Sequence, residues 1–156
     1  MDGSEWADIE AIKRLKARYF RFMDEKRWDE WAQVFTEDAT IDTSEDAKDA
    51  VVTGRHAIQE FVSSSVADLI TVHHGHMPEI ELTGPRSATG VWAMEDYLEL
   101  ASDGSFQIHG RGHYHEEYAR GDDGAWRIRS LKLTRLWVRH TGSPPPSIVD
   151  AGGHGT

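Results

Sequence analysis

Three turn signals divide the second half of this chain: TGPRS at 83–87, ASDGS at 101–105 and GDDG at 121–124. They leave four strand-length pieces, 71–82, 88–100, 106–119 and 126–139. Consecutive strands joined by short turns pair most readily with their chain neighbours, which predicts a four-stranded antiparallel meander. The first half carries a different period. Ile9, Ile12, Leu15, Tyr19 and Met23 fall three or four apart, one stripe of an amphipathic helix, with Lys13, Lys16 and Arg18 expected on other faces. Trp28, Trp31, Ala32 and Phe35 continue as a shorter second helix, TEDATIDT reads as a short strand, and Ile58, Phe61, Val62 and Ser65 mark a third helix. Helices followed by a meander predict an α+β fold in which one sheet face curls over three N-terminal helices and encloses a cup. At 156 residues and 38% apolar content the chain suits one domain with a core, set at 1–140. The Pro/Gly-rich remainder, 141–156, is expected to form an extended arm.

The inner face of the sheet follows from VWAMEDYLEL at 91–100, where Trp92, Met94, Asp96 and Leu98 alternate with Glu95 and Glu99. Asp96 is then an acid on an apolar face and needs a partner. With GPR at 84–86 as the loop, Leu82 faces Ala88 and Ile80 faces Gly90. Pro78 has no N–H for the ladder, so a one-residue bulge is expected there. That bulge turns His73 inward, opposite Asp96, and leaves His74 and His76 outward. Across the next hairpin Asp96 meets Gly110, Met94 meets Gly112 and Trp92 meets Tyr114. The two glycines suggest unfilled volume beside the carboxylate. Leu131, Leu133, Arg135 and Trp137 share a face in the last strand, which puts a second ionic group inside. Arg135 suits an anionic or carbonyl group of a ligand as well as it suits neutralising Asp96 or Glu116.

Several function classes drop out on composition. The formal charge is −10, from 27 acidic and 17 basic residues, which repels nucleic acid and anionic membrane surfaces. Without cysteine there is no disulfide, thiolate metal site or thiol nucleophile. The acidic start, MDGSEWADIE, has no apolar leader pattern and no run approaches a spanning helix, so a cytoplasmic protein is expected. His74 with His76, and His113 with His115, have i, i+2 spacing that could present imidazoles to zinc, nickel or copper. No carboxylate motif completes such a site, and a polar outer face or oligomer interface is the reading adopted: no metal.

Two blocks, IEAIKRLKARYFRFMDEKRWDEW and HHGHMPEIELTGPRSATGVWAMED, resemble the SnoaL-like branch of the nuclear transport factor 2-like superfamily. Within it they are most similar to the bile acid 7α-dehydratases, over roughly residues 8 to 139. The resemblance implies a cone-shaped sheet (a cystatin-like α+β barrel), a deep pocket, no cofactor, and often a homotrimer. It also implies catalytic roles for Tyr19, Asp24, His73 and Asp96, whose spacing matches, and a coenzyme A thioester contact at Arg135. Trp92, Met94 and Tyr114 would join Arg135 in binding the substrate.

The expected activity is a cofactor-independent lyase that removes water from a hydroxylated, carbonyl-bearing cyclic substrate of steroid or polyketide type. His73 would take the acidic C–H proton, oriented by Asp24 or Asp96, while Tyr19 donates to the enolate-like oxygen or to the departing hydroxyl. An imidazole, with an ordinary pKa of about 6.5, suits a general base at neutral pH. Isomerisation, cyclisation and dehydrohalogenation begin with the same proton abstraction. A non-catalytic cup for a hydrophobic ligand is the alternative of a different class, although such a binder has little use for two acids and a histidine among apolar walls.

Overall fold

Apolar spacing places the helices close to where the sequence predicts them. The computed structural model describes residues 3–146. Helix α1 (Gly3–Asp24) buries Ile9, Ile12, Leu15, Tyr19 and Met23 as one stripe. Lys16 departs from expectation. It sits four residues after Ile12 and three before Tyr19, on the buried stripe rather than a polar face, and its exposure is 0%. Helix α2 (Trp28–Ala32) is a little over one turn. Phe35, expected to extend it, instead opens strand β1 (Phe35–Asp42) and packs its ring 4.9 Å from that of Trp31. Strand β2 (Val51–Thr53), which no sequence pattern announced, pairs antiparallel with β1. Helix α3 (Arg55–Ser65) starts after Gly54, whose φ of 98° favours glycine. Arg55 donates twice to the Phe35 carbonyl, at 3.1 and 2.6 Å, and so ties α3 to β1.

Four long strands follow: β3 (Leu69–Gly84), β4 (Ser87–Leu100), β5 (Gln107–Arg120) and β6 (Trp126–Thr141). The six strands form a curved, unclosed sheet in the order β2-β1-β6-β5-β4-β3. Every contact is antiparallel except β1 with β6, which is parallel. That one pair departs from the fully antiparallel expectation. Helix α3 interposes a crossover before the meander, and a crossover lets distant strands run the same way. Of the C-terminal arm, residues 147–156 lie outside the described residues.

The registers that matter for the site are those expected. Leu82 pairs with Ala88 and Ile80 with Gly90, the ladder shifts between His76 and Glu79, and His73 then pairs with Asp96. Met77 takes up the shift at a φ of 36° and projects into solvent. Asp96 pairs with Gly110, Met94 with Gly112 and Trp92 with Tyr114. On β6 the expected face holds only through Arg135. A second bulge, between Arg111 and Gly112 across from Leu136, moves Trp137 to the outer face, where its ring meets His109 at 5.0 Å.

Candidate active site

Asp24 is the last residue of α1, and the chain reverses just beyond it. Arg27 N donates to Phe22 O at 2.8 Å and Lys26 N to Met23 O at 3.0 Å, with Lys26 left-handed at φ 59°. These are the bonds of a Schellman motif in which lysine stands where glycine is usual. The Lys26 ammonium reaches back to Thr71 Oγ1 at 2.9 Å. Burial lowers its pKa, and Asp24 opposes that shift. The turn aims the Asp24 carboxylate across to the start of β3, where it accepts three hydrogen bonds. His73 Nδ1 lies 2.7 Å from Oδ1, Thr71 Oγ1 donates to Oδ1 at 3.0 Å, and the His73 backbone N–H donates to Oδ2 at 3.0 Å. A carboxylate only accepts, so the shared proton belongs on Nδ1 and Nε2 keeps the basic lone pair.

Asp96 does not serve His73, although the two are backbone partners. Its carboxylate takes both arms of Arg135, NH1 to Oδ1 and NH2 to Oδ2, each at 3.0 Å. The opposite edge of the guanidinium binds Asp46, Nε to Oδ1 at 2.7 Å and NH2 to Oδ2 at 2.8 Å. Glu45 accepts from the Arg135 backbone N–H. Burial opposes the charge on Arg135, but the hydrogen bonds to Asp46 and Asp96 more than offset it and hold the group above its ordinary range. The buried acid therefore has an arginine partner, and that ion pair fills the space over Gly110, while the cavity that Asp96 lines lies elsewhere. A Cβ on Gly110 would lie 2.3 Å from Asp96 Oδ1 and 2.4 Å from Arg135 NH1. Its missing side chain makes room for the ion pair.

The aromatic side of the site joins the expected Tyr19 and Tyr114 to residues behind them, Lys16 and Tyr118, that the sequence did not flag. The rings of Tyr19 and Tyr114 meet edge to face at 5.9 Å. Burial, followed by the negative charge of Glu116, raises the Tyr19 pKa, and burial raises that of Tyr114. Behind both rings lies the Lys16 ammonium, 3.7 Å from each centroid, in contact with Glu116. Both side chains of this ion pair are fully buried. Glu116 also accepts from Tyr118 Oη at 2.5 Å, and Tyr118 Oη accepts from Trp92 Nε1 at 2.8 Å. The only advance signal was the place of Lys16 on the Ile12–Tyr19 line.

These groups surround a cavity of about 330 Å³ between the helices and the inner sheet face. Tyr19, His73, Asp96, Tyr114 and Arg135 line it together with apolar walls such as Phe61 and Leu133. Asp24 stands behind His73, outside the lining. Trp92 and Met94, expected to touch the substrate, are on the correct face but not among the lining residues. Tyr118 holds the Trp92 indole toward the buried ion pair, and the Met94 sulfur abuts Arg135 NH1 at 3.6 Å.

On the outer face, His74, His76 and His109 each come within 4.0 Å of Glu95. Among the described residues no group of three or more His, Cys, Asp or Glu side chains is arranged to hold a metal ion. No helix among them is long and apolar enough to cross a membrane.

The SnoaL-like domain profile matches residues 4–132. This chain belongs to the SnoaL-like family. Among curated relatives, the SnoaL-like chain is 28% identical over 137 residues to Probable cyclase FGR4 of Gibberella zeae, covering 81% of this chain and 89% of that protein. A scytalone dehydratase-like protein from Novosphingobium aromaticivorans superimposes with a TM-score of 0.79 at 19% identity, covering 91% of this chain and 96% of the other. A hexachlorocyclohexane dehydrochlorinase from Novosphingobium barchaimii superimposes with a TM-score of 0.75 at 19% identity, covering 91% and 97%. At such identities the two structures establish the nuclear transport factor 2-like fold of this SnoaL-like protein, with its open, curved sheet over helices.

Proposed function

We propose that this SnoaL-like protein is a cofactor-independent dehydratase acting on a small, hydrophobic, hydroxylated cyclic carbonyl compound, as a cytoplasmic homotrimer. The observation that carries the reading is the Asp24–His73 pair, at 2.7 Å, on a histidine that lines the cavity. The pair leaves Nε2 free to accept a proton, while Asp24 stabilises the imidazolium that forms. His73 removes the proton beside the carbonyl, and the electrons move into the carbonyl to give an enolate-like oxygen. Tyr19 donates to that oxygen, with the Tyr114 ring packed beside it. As the enolate collapses, the C–O bond to the β-hydroxyl breaks. The proton held by His73 leaves with the hydroxyl as water, so no net charge is left in the site.

Asp96 acts here through Arg135, which it anchors on the cavity wall. For Arg135 to meet a coenzyme A thioester, as the likeness to bile acid dehydratases suggests, Asp46 must first let go. The similarity to Probable cyclase FGR4 favours a second reading, cyclisation, in which the same enolate attacks a carbonyl instead of expelling hydroxide.

Steady-state turnover of enone-forming hydroxy-ketones tests the assignment. His73→Ala should lower kcat about 10²–10⁴-fold with little change in ligand affinity. If His73→Ala keeps near-normal turnover while substitutions in the apolar walls abolish ligand binding, the cup is a binding module and the chemistry is absent.

A further inference from the structure

A charged pair with no exposure is costly to bury, and the fold needs a reason to keep one. Lys16 and Glu116 are such a pair, one on α1 and one on β5. The proposed elimination uses neither. Their surroundings are specific: the Lys16 ammonium lies 3.7 Å from the ring centroids of Tyr19 and Tyr114 and 4.9 Å from that of Phe20. Glu116 is held from the far side by Tyr118, which is held in turn by Trp92. The positive end of the pair therefore lies against the rings of two tyrosines that line the cavity, and the negative end accepts from Tyr118. A cation on a phenol ring draws electron density from it and makes the hydroxyl a stronger donor.

We propose that Lys16 and Glu116 are positioning residues that bias the Tyr19 and Tyr114 hydroxyls to stabilise an oxygen gaining negative charge in the cavity. The proposal rests on the reading of Tyr19 as an oxyanion donor. Neither Lys16 nor Glu116 touches the reacting atoms. Lys16 acts through two rings at once, and Glu116 keeps it charged. Burial draws the Lys16 pKa down to about 8, with Glu116 opposing the shift. The groups facing the ammonium are Glu116 and Tyr114 from β5 and Tyr19 and Phe20 from α1, with Tyr118 and then Trp92 from β4 behind Glu116. The bias should therefore weaken as pH rises past about 8.

The test uses 4-nitrophenol, whose phenolate absorbs in the visible and whose size suits the cavity. The whole protein should bind the phenolate in preference to the phenol, which lowers the apparent pKa of the bound probe below its value in solution. Lys16→Met with Glu116→Gln, which removes both charges together, should weaken that preference about tenfold, a rise of one unit in the bound probe's pKa. Glu116→Gln alone keeps the shape of the carboxylate and serves if the double variant does not fold. With its counter-charge gone the buried Lys16 gives up its proton, so the site again carries neither charge and the probe should move in the same direction. A purely structural pair would change the melting temperature and leave the bound probe's pKa where it was, which overturns the proposal. If wild type lowers the probe's pKa and Tyr19→Phe abolishes the effect while the Lys16 and Glu116 variants do not, this proposal falls and the role of Tyr19 stands. If wild-type protein takes up only neutral nitrophenol, or none, both fall.

Discussion

Replacing Asp24 by Asn changes one atom of the site, and the geometry says what must follow. Both carboxylate oxygens accept in the native protein: Oδ1 from His73 Nδ1 and Thr71, Oδ2 from the His73 backbone N–H. An asparagine offers one acceptor and one donor. The backbone N–H can only donate, so placing the amide NH₂ beside it costs about 1–3 kcal/mol. The favoured amide orientation gives its oxygen to the backbone and its NH₂ to Nδ1. Nδ1 must then accept, the ring proton moves to Nε2, and the base is blocked while the fold is intact. The expected loss in kcat is that of a positioned general base, about 10²–10⁴-fold or roughly 3–5 kcal/mol. The double variant with His73→Ala should be barely slower than His73→Ala alone, because the two residues act as one unit. Imidazole ¹⁵N shifts report the tautomer directly, alongside turnover on a hydroxy-ketone. An Asp24→Asn protein whose His73 keeps its proton on Nδ1 and turns over normally would refute this reasoning.

Gly110→Ala would drive a methyl to within 2.4 Å of the Arg135 guanidinium, so it should destabilise the protein by about 1–3 kcal/mol in urea titration and loosen the Asp96 pair. Lys16 makes stability depend on pH. Its folded pKa, about 8, lies below the ordinary 10.5, so between those values the unfolded chain holds the extra proton and stability should rise with pH. Urea midpoints at pH 7.5 and 9 should show that rise, and Lys16→Met should remove it; above about 10 the buried tyrosines, with raised pKa values, reverse the slope. Light scattering should give a mass of three 17.6 kDa chains, and a monomer at all concentrations would take away the oligomer-interface explanation of the outward histidines.

How much of this was legible in the sequence depended on what kind of rule placed each residue. Hairpin pairing runs in lockstep along two strands, so two turn signals and one proline put His73 across from Asp96 and Asp96 across from Gly110. Side-chain partnerships obey no such counting. His73 turned to the end of α1, and Asp96 to β6, because an ion finds whichever opposite charge the three-dimensional fold delivers. Asp46 came from the loop between β1 and β2, a stretch with no period to read. Trp137 escaped because the bulge before it involves neither proline nor glycine on its own strand. Lys16 was misjudged because residue type outweighed helical position, although its spacing from Ile12 and Tyr19 placed it on the inner face.

The double embrace of Arg135 has a consequence for selectivity. With Asp96 on one edge of the guanidinium and Asp46 on the other, the arginine has no vacant edge to offer. An anionic ligand can reach it only by exchange, releasing one carboxylate to admit another, and such a trade returns little free energy. Neutral guests face no such barter. The identity of a single residue in a short loop, Asp46, thereby sets whether Arg135 can recognise a charged group, and a chain with alanine there would free one edge of the guanidinium for a ligand carboxylate.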